Sequence, residues 1–218
     1  NRPLELRANF KYRIGVREFD KERAADGEGG RDFFRVTTHV EYRKTLRHPL
    51  FLIGCALNND HLSALFDEER CEYRWLLPSS PGALHEEDFM VEGVRIDGRD
   101  VPIGERKVTD RGLEVWCGSD ELRNKLNRDV KVEVEIATKK LKTSKTFAVY
   151  LVYPTRGLEI CFDYAGTGLR NVRETSFFAG KHHTPEVIVK RGKSVTLRLS
   201  DRDWVFPNSG VTFTWDLE

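Results

Sequence analysis

The chain has 218 residues, a formal net charge of +1, 33% charged residues and 39% hydrophobic residues. A chain of this length forms one large domain or two smaller ones, and this apolar content argues against disorder outside a few loops. The small net charge gives no overall attraction to duplex nucleic acid or to an acidic membrane, so binding of that kind requires a local basic patch.

Two long alternating runs open the chain. Apolar residues occupy every second position from Leu4 to Val16 and again from Phe34 to Tyr42, which is typical of strands with one buried face. The charged, glycine-rich segment Asp20–Gly30 separates them. This arrangement predicts a long hairpin with a mobile tip.

The next segment combines a buried strand with two short helices and two tight turns. Asp60 is expected to cap the first helix and Ser119 the second. Between them, Asp97-Gly98 suits a type I′ turn, and Asp110–Gly112 is a second predicted turn.

The stretch Val130–Gly166 predicts three consecutive strands that form a meander. Its middle strand, Phe147–Tyr153, is apolar on both faces, so it is expected to be central and covered on both sides. Pro154–Gly157 supplies the second turn, and alternation resumes up to Leu217.

The whole pattern, about a dozen short strands with turn signals every 8 to 12 residues or so, predicts a mostly β fold of antiparallel sandwich or barrel-like type. Tyr73–Ser80 echoes Asp203–Ser209. The echo suggests two related β halves, residues 1–117 and 130–218, and the alternative is a single β domain over residues 1–218.

The cysteines and the hydropathy indicate the cellular compartment in which the protein lies. The four cysteines, Cys55, Cys71, Cys117 and Cys161, are widely spaced, which favours free thiols in a reducing compartment over two disulfides in a secreted protein. No signal peptide and no apolar run near 18 residues is present, so we expect a cytoplasmic domain. The chain begins with Asn1, and we expect further sequence upstream.

Four lysines, Lys139, Lys140, Lys142 and Lys145, form the densest cationic cluster, at a predicted turn. Ammonium groups this close together attract phosphate oxygens, so the cluster is a candidate ligand-binding site. The alternative is a solvated turn whose charges protect a sheet edge from aggregation.

The tryptophans divide into two kinds. Trp116 and Trp215 occupy inward strand positions and are expected in the core. Trp75 and Trp204 lie beside proline-containing loops, where either ring could stack on a base or a sugar, or could plug the end of a sandwich. Trp204 is the aromatic candidate for the ligand site.

Histidines and carboxylates give weaker signals. His182 and His183 are adjacent, and adjacent side chains on a strand point to opposite faces, so no metal site is predicted; His182 stays a candidate ligand contact. Asp201 and Asp203 could do acid–base chemistry, but Arg202 between them offers neutralisation in a turn. Since no linear catalytic motif is present, we expect neither an enzyme nor a cofactor.

Two segments, Trp204–Trp215 (WVFPNSGVTFTW) and Tyr153–Gly166 (YPTRGLEICFDYAG), resemble the β-rich cytosolic sensor domains of bacterial membrane-anchored antiphage effectors that respond to cyclic nucleotides. They contribute packing and turn residues rather than a binding motif, so no functional residue is assigned from the resemblance. It implies a cyclic nucleotide as ligand and a transmembrane segment upstream of Asn1.

The sequence therefore predicts a non-catalytic sensor module. In this hypothesis, loop lysines pair with the phosphates of a nucleotide in a groove between β halves, and an aromatic ring stacks on its base. Two alternatives stay open. One is an interaction domain that assembles into homo-oligomers through edge strands. The other is a β-sandwich hydrolase that uses Asp201, Asp203, His182 or His183.

Overall fold

The computed structural model describes residues 5–19, 33–77, 86–109, 111–179, 186–190 and 192–217. The chain forms two compact units. The first consists of Asn1–Lys44 with Lys139–Glu218, and the second of Thr45–Thr138. These boundaries fall elsewhere than those of the sequence halves 1–117 and 130–218, and the duplication of those halves stays a prediction.

The predicted mostly β fold is confirmed. The described strands are β1 (Arg7–Glu18), β2 (Phe33–Thr45), β3 (Leu50–Ala56), β4 (Cys71–Leu76), β5 (Phe89–Ile96), β6 (Arg99–Asp100), β7 (Ile103–Thr109), β8 (Gly112–Gly118), β9 (Asp129–Leu141), β10 (Thr146–Leu151), β11 (Thr155–Asp163), β12 (Leu169–Phe177), β13 (Glu186–Lys190), β14 (Ser194–Val205) and β15 (Ser209–Leu217). One α-helix, α1 (Asn59–Asp67), and two 3₁₀ helices, Glu86–Asp88 and Asp120–Lys125, are also described.

The first unit contains two groups of paired strands. In one, the order is β13-β14-β11-β1-β2, and in the other it is β10-β15-β12. The predicted β1–β2 hairpin is confirmed as an antiparallel pair, whereas its tip, Asp20–Gly30, lies outside the described residues. β1 pairs in parallel with β11, so the sheet is mixed rather than purely antiparallel.

The two sheets of the first unit pack face to face through aromatic rings. Phe162 on β11 stacks on Phe213 of β15, with ring centroids 4.6 Å apart, and lies 5.8 Å from the ring of Trp215. All three side chains are buried, which confirms that Trp215 belongs to the core. Such ring pairs contribute about 0.5–1.5 kcal/mol each beyond the apolar area that they bury.

The three strands predicted within Val130–Gly166 form, but they do not make a meander. β10 belongs to the three-stranded sheet and is its terminal strand, paired with β15, while β11 lies in the larger sheet. The expectation of a central strand covered on both sides is therefore wrong. Tyr150, in the middle of that apolar run, is 65% exposed. An apolar run does not distinguish a buried face from one that presents an aromatic ring to solvent.

The second unit is built around a sheet of order β4-β3-β8-β7 and a separate pairing of β5 with β9 and β6. Helix α1 packs on one face of β3, in a cluster of buried residues that comprises Leu52, Ala56, Leu65 and Cys71. Gly54 permits this close packing, because a Cβ at that position would lie 2.6 Å from the Cδ atoms of Leu65.

The expected N-cap of α1 is wrong by two residues. Asn58 caps the helix, since its side-chain Oδ1 accepts a hydrogen bond from the His61 backbone N–H at 2.9 Å, and Asp60 lies in the first turn. An Asp in that turn still stabilises the helix, because its charge opposes the positive end of the helix dipole. Both residue types favour helix starts, so the sequence alone did not separate them.

Two predicted turns and the free cysteines are present, whereas the turn predicted at Pro154–Gly157 is wrong, because Thr155–Gly157 belong to strand β11. Asp97 and Gly98 have φ values of 52° and 75°, as a type I′ turn requires. β7 and β8 form the second hairpin, with Asp110 itself outside the described residues. All four cysteines are free. In the part of the chain that the structure describes, no helix combines the length and apolarity needed to cross a membrane.

Candidate functional site

The lysine turn, residues 139–145, connects the end of β9 to β10 in the first unit. Three ammonium groups lie over phenylalanine rings: Lys139 over Phe19 at 5.2 Å, Lys140 over Phe147 at 5.7 Å and Lys142 over Phe34 at 5.3 Å from the ring centroid. Contacts of this type attract the cation to the electron-rich ring face and hold the side chain against the protein.

The charge of this turn is already partly engaged. Lys142 forms an ion pair with Glu18 at the end of β1. Burial lowers the pKa of Lys140 from 10.5 to about 8, because desolvation disfavours its charged form. Lys145 is exposed. The turn therefore offers a ligand less free positive charge than its lysine count suggests.

Trp204 lies in a different environment, on the outer face of the larger sheet of the first unit. It is 42% exposed. Its cross-strand partner is Arg156 on β11, whose guanidinium carbon lies 5.9 Å from the centre of the indole ring. The neighbouring pair, Thr155 and Val205, is buried, so the side chains of Arg156 and Trp204 both point away from the core.

A β-bulge turns Arg156 outward. Strict alternation from the buried Leu158 would place Arg156 on the core face, but the register breaks between these two residues. Gly157 at the break has φ 69°, a conformation that glycine adopts without a Cβ penalty. The adjacent strand β1 breaks register between Ala8 and Lys11, with Asn9 at φ 52°. The sequence places Arg156 in a predicted turn, Pro154–Gly157, but Gly157 lies inside β11, and a glycine within a strand is the signal of such a bulge.

Polar oxygens lie beside the bulge. A Cβ on Gly157 would stand 2.9 Å from Oδ1 of Asp201 and 3.7 Å from Oδ1 of Asn9. Both oxygens therefore face the same point next to Arg156. We define the Trp204–Arg156 surface as Trp204, Arg156, Asp201 and Asn9. It combines an exposed ring, a cation and hydrogen-bond acceptors.

The structure does not bring Trp204 and the lysines together. Arg156, the partner of Trp204, pairs with Ala8 at the start of β1, whereas Lys142 contacts Glu18 at the end of the same strand. The ten residue steps from Ala8 to Glu18 span roughly 33 Å at the usual rise of a strand. A single pocket containing both candidates is therefore excluded within the first unit. His182 lies outside the described residues.

Three groups of the second unit that could take part in catalysis, His61 and the thiols of Cys55 and Cys117, are occupied or buried. His61 has its Nδ1 2.8 Å from the Arg111 carbonyl oxygen and its Nε2 3.3 Å from Glu114 Oε1, so both ring nitrogens already face protein partners. These contacts tie α1 to the β7–β8 turn. Burial raises the pKa of the Cys117 thiol to about 12 and raises that of Cys55 further, which suppresses the nucleophilic thiolate.

Comparisons with known proteins give a weak likeness. No family model and no curated protein matches the chain. Among solved structures, yeast LTA4 hydrolase in complex with bestatin is 7% identical with a TM-score of 0.43, over 95% of this chain and 28% of that one. The M1 zinc metallopeptidase from Deinococcus radiodurans is 9% identical with a TM-score of 0.43, over 96% of this chain and 42% of that one. The chain thus spans less than half the length of either.

Proposed function

We propose that this chain is a non-catalytic module that binds a nucleotide second messenger at the Trp204–Arg156 surface, as the sensor domain of a membrane-associated bacterial defence effector. The observation that carries the binding proposal is the pairing of an exposed indole with a guanidinium 5.9 Å away on the neighbouring strand. The sensor and defence roles rest on the sequence resemblance alone.

The chemistry of this surface suits a nucleotide. A base stacked on an exposed aromatic ring gains about 1–3 kcal/mol. A guanidinium gives phosphate charge-assisted, often bidentate hydrogen bonds. Among the residues that the structure describes, no carboxylate forms an ion pair with Arg156, so its charge is available to a ligand. The Asp201 carboxylate accepts hydrogen bonds only, which suits ribose hydroxyls.

A thermal-shift screen of the chain against cyclic mono-, di- and trinucleotides tests the proposal. A ligand at about 100 times its dissociation constant adds roughly 2.7 kcal/mol to the free energy of unfolding, which raises the melting temperature by several degrees. We expect a shift with a cyclic nucleotide, and we expect Trp204→Ala and Arg156→Ala each to remove most of it.

The matched control is the double variant Lys140→Ala with Lys142→Ala, which removes cations from the lysine turn. It is expected to keep the ligand-induced shift, because that turn lies roughly 33 Å away along β1. Loss of the shift in this double variant, with the shift retained in Trp204→Ala, would move the site to the lysine turn. If none of the nucleotides in the panel raised the melting temperature, nucleotide binding would be refuted. Assembly through edge strands would then be the leading hypothesis.

A further inference from the structure

The outer face of the three-stranded sheet of the first unit carries two exposed aromatic rings. Tyr150 on β10 and Phe177 on β12 are both paired with Gly210 of the central strand β15, so the three residues form one row across the sheet. Tyr150 is 65% exposed and Phe177 is 36% exposed. Their ring centroids lie 5.7 Å apart at an interplanar angle of 55°.

Gly210 makes this arrangement possible. A Cβ at this position would lie 2.8 Å from the Phe177 ring and 2.1 Å from the carbonyl oxygen of Val149. Strands β10 and β12 are two strand spacings apart, about 9.6 Å, so rings only 5.7 Å apart lean toward each other over β15. The result is a continuous apolar surface that is open to solvent.

The neighbouring row is small and neutral. It consists of Ala148, Thr212 and Thr175, which are paired across the same three strands. Each threonine hydroxyl is both a hydrogen-bond donor and an acceptor. We define the aromatic–threonine platform as these two rows, Tyr150–Gly210–Phe177 and Ala148–Thr212–Thr175. It measures about 10 Å across the strands and about 7 Å between rows.

Its composition argues against two kinds of occupant. The six residues contain no charge, and the neighbouring cation on the same face of β12, Arg173, lies one row beyond Thr175, or about 7 Å along the strand. A ligand seated on the two rows therefore meets rings and hydroxyls, and a phosphate would have to extend past them to reach Arg173. Its area, roughly 70 Å² from these dimensions, is also far below the 800 Å² or so that each partner contributes to a stable protein–protein interface.

We propose that the aromatic–threonine platform binds the sugar rings of a neutral polysaccharide. The C–H groups on one face of a hexose carry partial positive charge and pack against the negative face of an aromatic ring. Its equatorial hydroxyls exchange hydrogen bonds with threonine hydroxyls in the next row. The platform is long enough for one to two sugar units, and it does not involve the Trp204–Arg156 surface, which lies on the larger sheet.

Native affinity electrophoresis tests this inference. The chain is run through gels that contain one soluble neutral polysaccharide each: hydroxyethyl cellulose, laminarin, glycogen, xylan or galactomannan. We expect one of these to retard the chain. Tyr150→Ala is expected to raise the dissociation constant measured from the retardation about tenfold or more, which is the scale for loss of a central aromatic contact. Phe177→Ala is expected to raise it less. Tyr150→Trp keeps a ring and is expected to retain binding.

Trp204→Ala is the matched control, because it removes an exposed ring from the other surface, and it is expected to leave retardation unchanged. Both Tyr150→Ala and Phe177→Ala alter exposed side chains, and an unchanged melting temperature confirms that each variant is folded. No retardation in any of the five neutral gels would overturn the proposal. So would retardation that Tyr150→Ala does not weaken, or retardation only in a gel containing an anionic polysaccharide such as alginate.

Discussion

Two regions of the first unit bring cations and aromatic rings together, and they do so in opposite ways. At the lysine turn, the rings beneath Lys140 and Lys142 are the buried Phe147 and Phe34, and the charges are desolvated or paired. At the Trp204–Arg156 surface, the ring is exposed and the guanidinium lies beside it on the neighbouring strand.

This difference shows that the density of charge along a sequence does not measure the charge available to a ligand. A lysine that packs on a core ring and pairs with a carboxylate stabilises its own turn. A single arginine beside an exposed indole retains its donors for a partner. Substitutions in each region test whether its charge stabilises the fold or is available to a ligand.

The largest expected change in stability comes from substitution of Gly157, at the bulge that turns Arg156 outward. Gly157→Ala should lower the free energy of unfolding by about 2–3 kcal/mol, because Gly157 has φ 69° and a Cβ would meet Asp201 Oδ1 at 2.9 Å and Asp201 Cα at 3.2 Å. Urea unfolding monitored by circular dichroism measures the change. Binding at the Trp204–Arg156 surface should weaken in the same variant.

Gly166→Ala is the matched control for this prediction. Gly166 has φ 80°, but a Cβ there would meet nothing within 4 Å. Gly166→Ala should therefore lower the free energy of unfolding only by the cost of placing alanine in a left-handed conformation, about 1 kcal/mol. Equal losses of stability in the two variants would contradict the close approach of Asp201 to the bulge.

A gain in stability of intermediate size is expected from substitution of Lys140. Burial lowers its pKa to about 8 in the folded chain, while the unfolded chain keeps the usual value of 10.5. Between these values the unfolded state binds more protons, so the contribution of Lys140 to stability rises with pH. Below pH 8 or so the buried charge opposes folding in full, and the opposition is gone by about pH 10.5.

Lys140→Met should accordingly raise the free energy of unfolding at pH 7 by about 1–2 kcal/mol, a value reduced from the full pKa shift because the side chain keeps some contact with solvent. The difference between the variant and the parent chain should shrink from pH 8 upward. Parallel denaturation curves at pH 7, 9 and 10.5 measure it. A variant that is less stable at pH 7 would show that the ammonium is needed for the fold.

Alternation and turn chemistry were enough to predict the β class, the β1–β2 hairpin, the Asp97-Gly98 turn and the burial of Trp215, because each depends on local periodicity or on a few adjacent residues. The sheet to which β10 belongs depends on contacts far apart in sequence, so Phe147–Tyr153 was misplaced. Arg156 was missed because proline and glycine at Pro154–Gly157 indicate a turn, whereas Gly157 forms a left-handed bulge inside β11. Trp204 was singled out because it lies beside a proline-containing loop, but Trp75 shares that signal, so the 42% exposure of Trp204 could not be predicted from it.

The smallest expected effect is at the ion pair of Lys142 with Glu18. Lys142→Ala should lower the free energy of unfolding by only about 0.2–1 kcal/mol, since part-exposed pairs gain little over solvation by water. The loss should shrink in 1 M salt, which screens the charges.

Lys145→Ala is the matched control. Lys145 is exposed and forms no ion pair with the residues that the structure describes, so its removal should change stability less than that of Lys142. Equal effects of the two substitutions at low salt would show that the Glu18 contact contributes nothing. The cations of the turn would then be free for an external phosphate, and the contrast with the Trp204–Arg156 surface would fail.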